Sequence, residues 1–174
     1  SSDLKLKHKN FYMITIRPAT VSDIYSITDI YNEAVLNTTA TFDTEIKTVA
    51  ERLQWFQHHG HRHPVLVAEQ GGIITGWASL SKWSERQAYD TTAEESVYIH
   101  KDYRGRGIGK ELLQSITMAG KELGMHTILA RITAGNASSI YIHELMGYEH
   151  IGVMRQVGIK FDQLLDVHMM QKLF

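Results

Sequence analysis

The sequence contains no cysteine among its 174 residues. Disulfides, thiolate metal sites and a cysteine nucleophile are therefore excluded, and a reducing cytoplasm is the expected location. No apolar run approaches the roughly 18 residues that a membrane-spanning helix requires. Charges nearly balance, with 18 Lys plus Arg against 19 Asp plus Glu, so no overall field favours nucleic acid or an anionic membrane. We therefore expect neither nucleic acid nor membrane as a partner.

The chain also shows no internal repeat, low-complexity tract or linker, and this favours one domain over residues 13–174. Its first ten residues, "SSDLKLKHKN", are too polar for a secretory signal. We predict that residues 1–12 are a flexible lead-in or were added for expression, with Met13 as a possible natural start.

Hydrophobic periodicity and turn residues predict about seven strands and four helices in the order β-α-α-β-β-β-α-β-α-β-β. Thr20 with Asp23 and Thr48 with Glu51 are typical of helix starts. A strand hairpin is predicted around "QGGI", and Gly124 is expected to end the third helix. The mixed order indicates an α/β or α+β fold around one central sheet.

A glycine-rich loop, "HKDYRGRGIGKELL" at residues 100–113, separates an apolar strand from an amphipathic helix. It fits neither the dinucleotide fingerprint nor the nucleotide P-loop, but it fits R-x-x-G-x-G through Arg104, Gly107 and Gly109. Glycines and the unpaired N–H groups of a helix start suit an anion cradle. From these residues alone, a simple strand-to-helix turn with solvated basic side chains is an equal alternative.

A second segment, "AGNASSIYIHELMGYE", follows the next strand about thirty residues later. The two motifs together, with their spacing and the strand order, resemble the GNAT N-acetyltransferase superfamily from about Met13 to Gln171. The resemblance implies a GNAT-type fold with acetyl-CoA as co-substrate, its pyrophosphate at the glycine loop and its pantetheine arm along the preceding strand and the Asn136 segment. The implied coenzyme-binding residues are Val97, Tyr98, Ile99, Arg104, Gly105, Arg106, Gly107, Ile108, Gly109, Lys110, Asn136, Ala137 and Ser138.

Within that superfamily the sequence resembles the phosphinothricin and methionine sulfoximine acetyltransferases. The matching segments are "IYNEAVLNTTATFDTE", "WASLSKW", "AYDTTAEESVYIHKDYRGRGIG" and "VGIKFDQLLDVHMMQ". Leu164 departs from the Trp of many relatives. This branch implies acetyl transfer to the α-amine of a small amino acid or analogue, and a homodimer whose contact involves the C-terminal strands.

The resemblance assigns the general base to Glu94, and Glu95 is its rival. Because successive side chains on a strand point to opposite faces, only one of the two should face the substrate. His143 is expected to protonate the leaving thiolate, with Tyr141 as a weaker alternative, and the Val97 N–H is a candidate oxyanion donor.

The loop before Glu94 is expected to help bind the substrate, and Arg86 on it suits a substrate carboxylate. A solvated loop is the alternative for each loop residue, and Phe42 and Phe161 are possible pocket walls. The predicted substrate-binding residues are Ser84, Glu85, Arg86, Tyr89, Glu95 and Ser96.

The histidine-dense stretch "HHGHRHP" lacks interleaved acidic or cysteine ligands. We predict a solvated loop containing His58, His59, His61 and His63, with adventitious metal capture as the alternative, and no metal in the protein's function. Two other functions stay open: acetylation of a protein N-terminus or lysine, and non-catalytic coenzyme A sensing.

Overall fold

The computed structural model describes residues 13–174, so the predicted lead-in at 1–12 lies outside the described residues. In this part of the chain, seven strands form one sheet in the order β1-β2-β3-β4-β5-β7-β6. Their bounds are β1 Thr15–Pro18, β2 Val65–Gln70, β3 Ile73–Lys82, β4 Thr92–Ile99, β5 Thr127–Thr133, β6 Glu149–Lys160 and β7 Gln163–Leu173. All neighbouring strands are antiparallel except β4 and β5.

Within residues 13–174, four α-helices flank the sheet, as the sequence predicts. They are α1 Ile24–Asn37, α2 Val49–His58, α3 Ile108–Glu122 and α4 Ala137–Leu145. The Thr48–Glu51 capping box is present, with Glu51 N–H donating to Thr48 Oγ1 at 3.1 Å and Thr48 N–H donating back to the Glu51 carboxylate at 2.7 Å. None of the helices in residues 13–174 is both long and apolar enough to cross a bilayer.

Two hydrophobic clusters lie on opposite faces of the sheet. Ile108, Leu112 and Ile116 of α3 pack with Ala93 of β4 on one face. On the other face, the buried stripe of α1 packs against Trp77 of β3. The sheet therefore has an α3/α4 face and an α1/α2 face, and the two can carry different chemistry.

The strands β4 and β5 separate soon after they meet. They pair in parallel only from Thr92 to Glu94, and the last registered pair is Glu94 with Leu129. Beyond Glu94, β4 remains paired with β3 but has lost its partner on the other side. The result is a gap in the middle of the sheet, open toward both faces.

Candidate active site

A cavity of about 680 Å³ occupies this gap. Its walls come from β4, β5, the start of α4, the α1–α2 connection and the bulged strand β6. The lining includes both glutamates of β4, together with Arg131 and His143. The position follows from the strand separation, because side chains and backbone that would otherwise be covered by a neighbouring strand face open space.

Glu94 lies on the α1/α2 face and forms a bidentate ion pair with Arg131 of β5. Arg131 Nε donates to Glu94 Oε1 at 2.5 Å, and Nη2 donates to Oε2 at 2.7 Å. This geometry makes a strong, oriented pair. The carboxylate raises the pKa of Arg131 above its ordinary value, so the guanidinium stays charged.

Glu95 lies on the α3/α4 face and pairs with His143 of α4. His143 Nε2 is 2.8 Å from Glu95 Oε1, and its Nδ1 is 2.7 Å from the backbone oxygen of Ser139. Both side chains are buried, at 3% and 5% exposure. Burial alone would lower the pKa of His143, but the attraction and hydrogen bond of Glu95 outweigh burial and raise it above 6.5.

The second carboxylate oxygen of Glu95, Oε2, is buried and has no hydrogen-bond partner among the described residues. A buried carboxylate oxygen without a donor is costly, and such atoms are uncommon in native proteins. The pair thus retains one acceptor position beside the cavity.

The backbone of β4 also faces the gap. On the β3 side, the Thr92 carbonyl accepts a hydrogen bond from the Trp83 N–H. At the other end of β4, the His100 N–H donates to the Thr75 carbonyl on the same side. Because antiparallel strands alternate their hydrogen-bonding direction, the intervening odd-numbered residues point their backbone groups away from β3. The Val97 N–H therefore lies on the side where β5 has separated, beyond the last β4–β5 pair, and Val97 lines the cavity.

The glycine loop ends where α3 begins, at Ile108. Gly107 directly precedes the helix and has φ +83°. The first helical hydrogen bond runs from the Glu111 N–H to the Gly107 carbonyl, at 3.1 Å. The N–H groups of residues 108–110 come before that bond and have no helical partner. A Cβ on Gly105 or Gly107 would meet nothing within 4 Å, so the backbone is open to an approaching ligand.

The two arginines of this loop are held by neighbouring groups. Arg104 donates to the Ile99 carbonyl at 3.2 Å and to Glu33 of α1 at 2.5 Å. Arg106 donates to the Asp102 carbonyl at 2.9 Å and lies over the Tyr103 ring. The two guanidinium groups are therefore oriented by protein contacts, whereas the backbone N–H groups at the start of α3 have no helical partner.

Asn136 caps α4 by accepting from Ser139 N–H at 3.2 Å, and it also lines the cavity. Ala137 and Ser138 are exposed and lie outside the lining. Tyr141 is 60% exposed on the outer side of α4, whereas His143 faces inward, so the geometry favours His143 as the proton donor.

The predicted substrate residues divide into two groups. Ser96 and Phe42 line the cavity, and Glu95 does too, although on the α3/α4 face. Phe161 lies outside it, beside α1. The predicted β3–β4 loop residues also lie outside the lining: Ser84, Glu85, Arg86 and Tyr89.

The histidine stretch is only partly the solvated loop that the sequence predicts, because His58 and His61 are exposed whereas His59 and His63 are half-buried. His58 and His59 continue the end of α2, where their Nδ1 atoms contact the Gln54 and Trp55 carbonyls. His59 also packs on the Trp55 ring. Across residues 13–174, no cluster of three or more His, Asp or Glu side chains is arranged to hold a metal ion.

Sequence reasoning missed Arg131, whose signal is a lone charge within the apolar strand "TILARIT". It also missed lining residues on distant segments, for which no local signal exists because only the fold brings them to the gap. They include Thr41, Asp43, Ser81, Ser139, Met154 and Val157.

Residues 25–148 match the acetyltransferase (GNAT) family, and the chain belongs to that family. It is an N-acetyltransferase by this membership and by its similarity to named enzymes. It is 38% identical over 159 residues to the L-methionine sulfoximine/L-methionine sulfone acetyltransferase of Salmonella typhimurium, covering 91% of this chain and 93% of that protein.

Solved structures agree with the fold. A phosphinothricin acetyltransferase from Sinorhizobium meliloti, in complex with acetyl-CoA, superposes with a TM-score of 0.88 at 36% identity, covering 92% of this chain and 88% of that one. A ribosomal-protein-alanine N-acetyltransferase from Brucella melitensis superposes with a TM-score of 0.89 at 38% identity, covering 92% of this chain and 99% of that one. The predicted GNAT fold is thus confirmed.

Proposed function

We propose that the protein transfers the acetyl group of acetyl-CoA to the α-amine of a small amino acid or analogue. The observation that carries the proposal is the placement of two acid–base pairs on opposite faces of the β4–β5 gap. Glu94 with Arg131 lies on the α1/α2 face, and Glu95 with His143 lies on the α3/α4 face. Direct transfer between two substrates needs a base at one end and an acid at the other.

The chain's coenzyme-side features fit acetyl-CoA as a substrate. Backbone N–H groups at the start of α3, widened by Gly105 and Gly107, offer a cradle for its diphosphate. The unpaired edge of β4 offers hydrogen bonds to an amide-bearing arm, in the manner of an added strand. Asn136 borders the same path.

Glu94 acts as the general base in this proposal. Its carboxylate accepts a proton from the acceptor amine as the new C–N bond forms at the thioester carbonyl. The Val97 N–H stabilises the negative charge that develops on the carbonyl oxygen.

His143 acts as the general acid. As the C–S bond breaks, His143 gives its proton to the departing sulfur, so free coenzyme A thiol and the N-acetyl product leave. Glu95 favours the protonated imidazole, because its carboxylate raises the pKa of His143 against the opposing effect of burial.

The proposal is tested by incubating the protein with acetyl-CoA and a panel of amines while following free thiol release. The panel contains methionine sulfoximine, phosphinothricin, the common amino acids and short peptides. We expect turnover with one or more free amino acids or analogues. Tight acetyl-CoA binding without turnover of any amine would overturn the proposal in favour of a sensor.

Peptide acetylation is a second candidate, favoured by the similarity to the ribosomal-protein-alanine N-acetyltransferase. Turnover confined to peptides in the same panel would establish it.

We further propose that the protein is a cytoplasmic homodimer joined through β6 and β7. The support for the contact is a set of exposed apolar side chains on β6, which is an edge strand of the sheet: Ile151, Val153 and Ile159. The cytoplasm is where acetyl-CoA would be available.

A further inference from the structure

Arg131 is the unexplained charge of this site. It lies on β5 between Ala130 and Ile132, which are 0% and 4% exposed, yet its own side chain is 52% exposed toward the cavity. A guanidinium beside a general base would simply neutralise it, so the pair calls for an explanation beyond holding Glu94 in place.

The guanidinium has donors to spare. Arginine carries five N–H donors in a planar fork, and Glu94 uses one on Nε and one on Nη2. Within residues 13–174, Nη1 makes no hydrogen bond to protein. The edge formed by Nη1 and Nη2 therefore remains available for a second carboxylate, which is the group that this fork binds best.

Other cations near the acceptor side are less suited to that role. Lys160 is buried, and its Nζ donates to the Thr41 carbonyl at 2.8 Å. Arg86 is exposed on the β3–β4 loop and does not line the cavity. Arg131 is the arginine of the cavity lining, and it contacts the proposed base directly.

We infer that the Glu94–Arg131 pair is a receptor for a zwitterion, in which Arg131 binds the α-carboxylate of the acceptor while Glu94 receives its amine. An α-amino acid carries both charges two bonds apart, so it matches two opposite charges held side by side. Engagement of Arg131 by the substrate carboxylate also frees Glu94 to accept the proton. This inference rests on the proposed acetyl transfer and restricts it to acceptors with a free α-carboxylate.

Peptides and α-esters lack that carboxylate, so the pair would reject them. The apolar remainder of the acceptor side, formed by Phe42, Met154 and Val157, would contact the amino-acid side chain.

The test compares L-methionine sulfone with its methyl ester as acceptors for the wild-type protein and Arg131→Gln. The ratio of kcat/KM for acid over ester is compared between proteins, because this cancels the different basicities of the two amines. We expect Arg131→Gln to lower kcat/KM for the acid by about 10- to 100-fold, chiefly through KM, and to leave the ester nearly unchanged. Arg131→Lys keeps the charge but loses the planar fork. Its kcat/KM for the acid should therefore lie between those of the wild-type protein and Arg131→Gln.

Two further variants serve as comparisons. Arg155→Gln removes an 81% exposed arginine of β6 and should leave the acid-to-ester ratio unchanged. Arg86→Gln tests the other arginine that the sequence suggested for the carboxylate, and this variant should also leave the acid-to-ester ratio unchanged. Thermal unfolding of each variant shows whether the fold is kept.

The outcomes separate the two proposals. If the wild-type protein acetylates neither acid nor ester, nor any other amine, the proposed function fails. If it acetylates acid and ester equally, or if Arg131→Gln lowers both alike, acetyl transfer stands and the zwitterion receptor is wrong. A loss confined to the acid in Arg86→Gln would likewise overturn the assignment to Arg131.

Discussion

Glu94 and Glu95 are neighbours in sequence but have different partners and different surroundings. The alternation of strand side chains predicts that they face opposite sides of the sheet, and this is where the structure places them. Glu94 meets an arginine at a partly open position, whereas Glu95 meets a histidine in a buried one. One strand can therefore supply a proton acceptor to one substrate and support a proton donor for the other.

If Glu94 is the general base, replacing its carboxylate by an amide should greatly lower kcat. Glu94→Gln keeps the shape but removes the proton acceptor, so we expect kcat to fall by about 10² or more. Thiol release under saturating acetyl-CoA measures it. Glu85→Gln, which alters a 92% exposed carboxylate on the β3–β4 loop, is the matched control. A kcat for Glu94→Gln equal to wild type from about pH 6 to about pH 9 would remove Glu94 from this role.

The Glu95–His143 pair predicts a pH-dependent stability. Because the folded-state pKa of His143 is raised above 6.5, its contribution is fully present below about pH 6.5 and is lost as the pH rises through the folded value. Glu95→Gln removes the carboxylate that raises this pKa. We therefore expect the wild-type advantage in free energy of unfolding to be larger at about pH 6 than at about pH 9.

Urea unfolding of both proteins at several pH values measures this difference. Glu144→Gln, on the exposed side of the same helix, should show a difference from wild type that does not change with pH. A wild-type advantage over Glu95→Gln that grows with pH would show that His143 is not held protonated by Glu95.

At the scale of elements, the two ends of α3 provide a matched pair of glycines. Gly107 before the helix has φ +83°, Gly124 after it has φ +84°, and a Cβ on either would meet nothing within 4 Å. Alanine at either position should cost a similar 1–2 kcal/mol, roughly, in backbone strain. Only Gly107 borders the N–H groups that are proposed to bind the diphosphate.

We therefore expect Gly107→Ala to raise the acetyl-CoA Kd by about tenfold or more, since a methyl group would obstruct approach to the backbone. Gly124→Ala should leave that Kd unchanged despite a similar loss of thermal stability. Calorimetric titration provides both values. Equal affinities in the two variants would count against the cradle.

The elements themselves could be predicted from sequence because their signals are local. The strand "TILARIT" at residues 127–133 and the Thr48–Glu51 capping box are found where the pattern predicts them.

The site could be predicted only in part. The glycine loop and the Asn136 segment carry recognisable motifs, but the pairing of Glu94 with Arg131 joins residues 37 positions apart. It depends on how β5 lies beside β4 before the two separate, and no local pattern specifies that. For the same reason, the β3–β4 loop residues were predicted at the substrate end although they lie outside the cavity.

At the scale of the whole molecule, the separation of β4 from β5 determines where chemistry can occur. A fully paired sheet would cover the backbone of Val97 and keep the two faces apart. The gap joins them, so one substrate can approach from the α3/α4 side and the other from the α1/α2 side.

The proposed dimer is also a property of the whole molecule. Ile159 on the edge strand β6 is 68% exposed, and a charge there should disrupt an apolar contact between two copies. We expect sedimentation to give twice the chain mass for the wild type and the single chain mass for Ile159→Glu. Tyr25→Glu, at a 69% exposed position on α1, should remain dimeric. A wild-type protein that sediments as a monomer at micromolar concentration would exclude the dimer.

The most direct test of the whole account is a crystal structure with acetyl-CoA and an acceptor amino acid bound. We expect the diphosphate to lie against the backbone N–H groups of residues 105–110, with the thioester carbonyl in the gap between Glu94 and His143. A diphosphate bound elsewhere, or a thioester outside the β4–β5 gap, would contradict it.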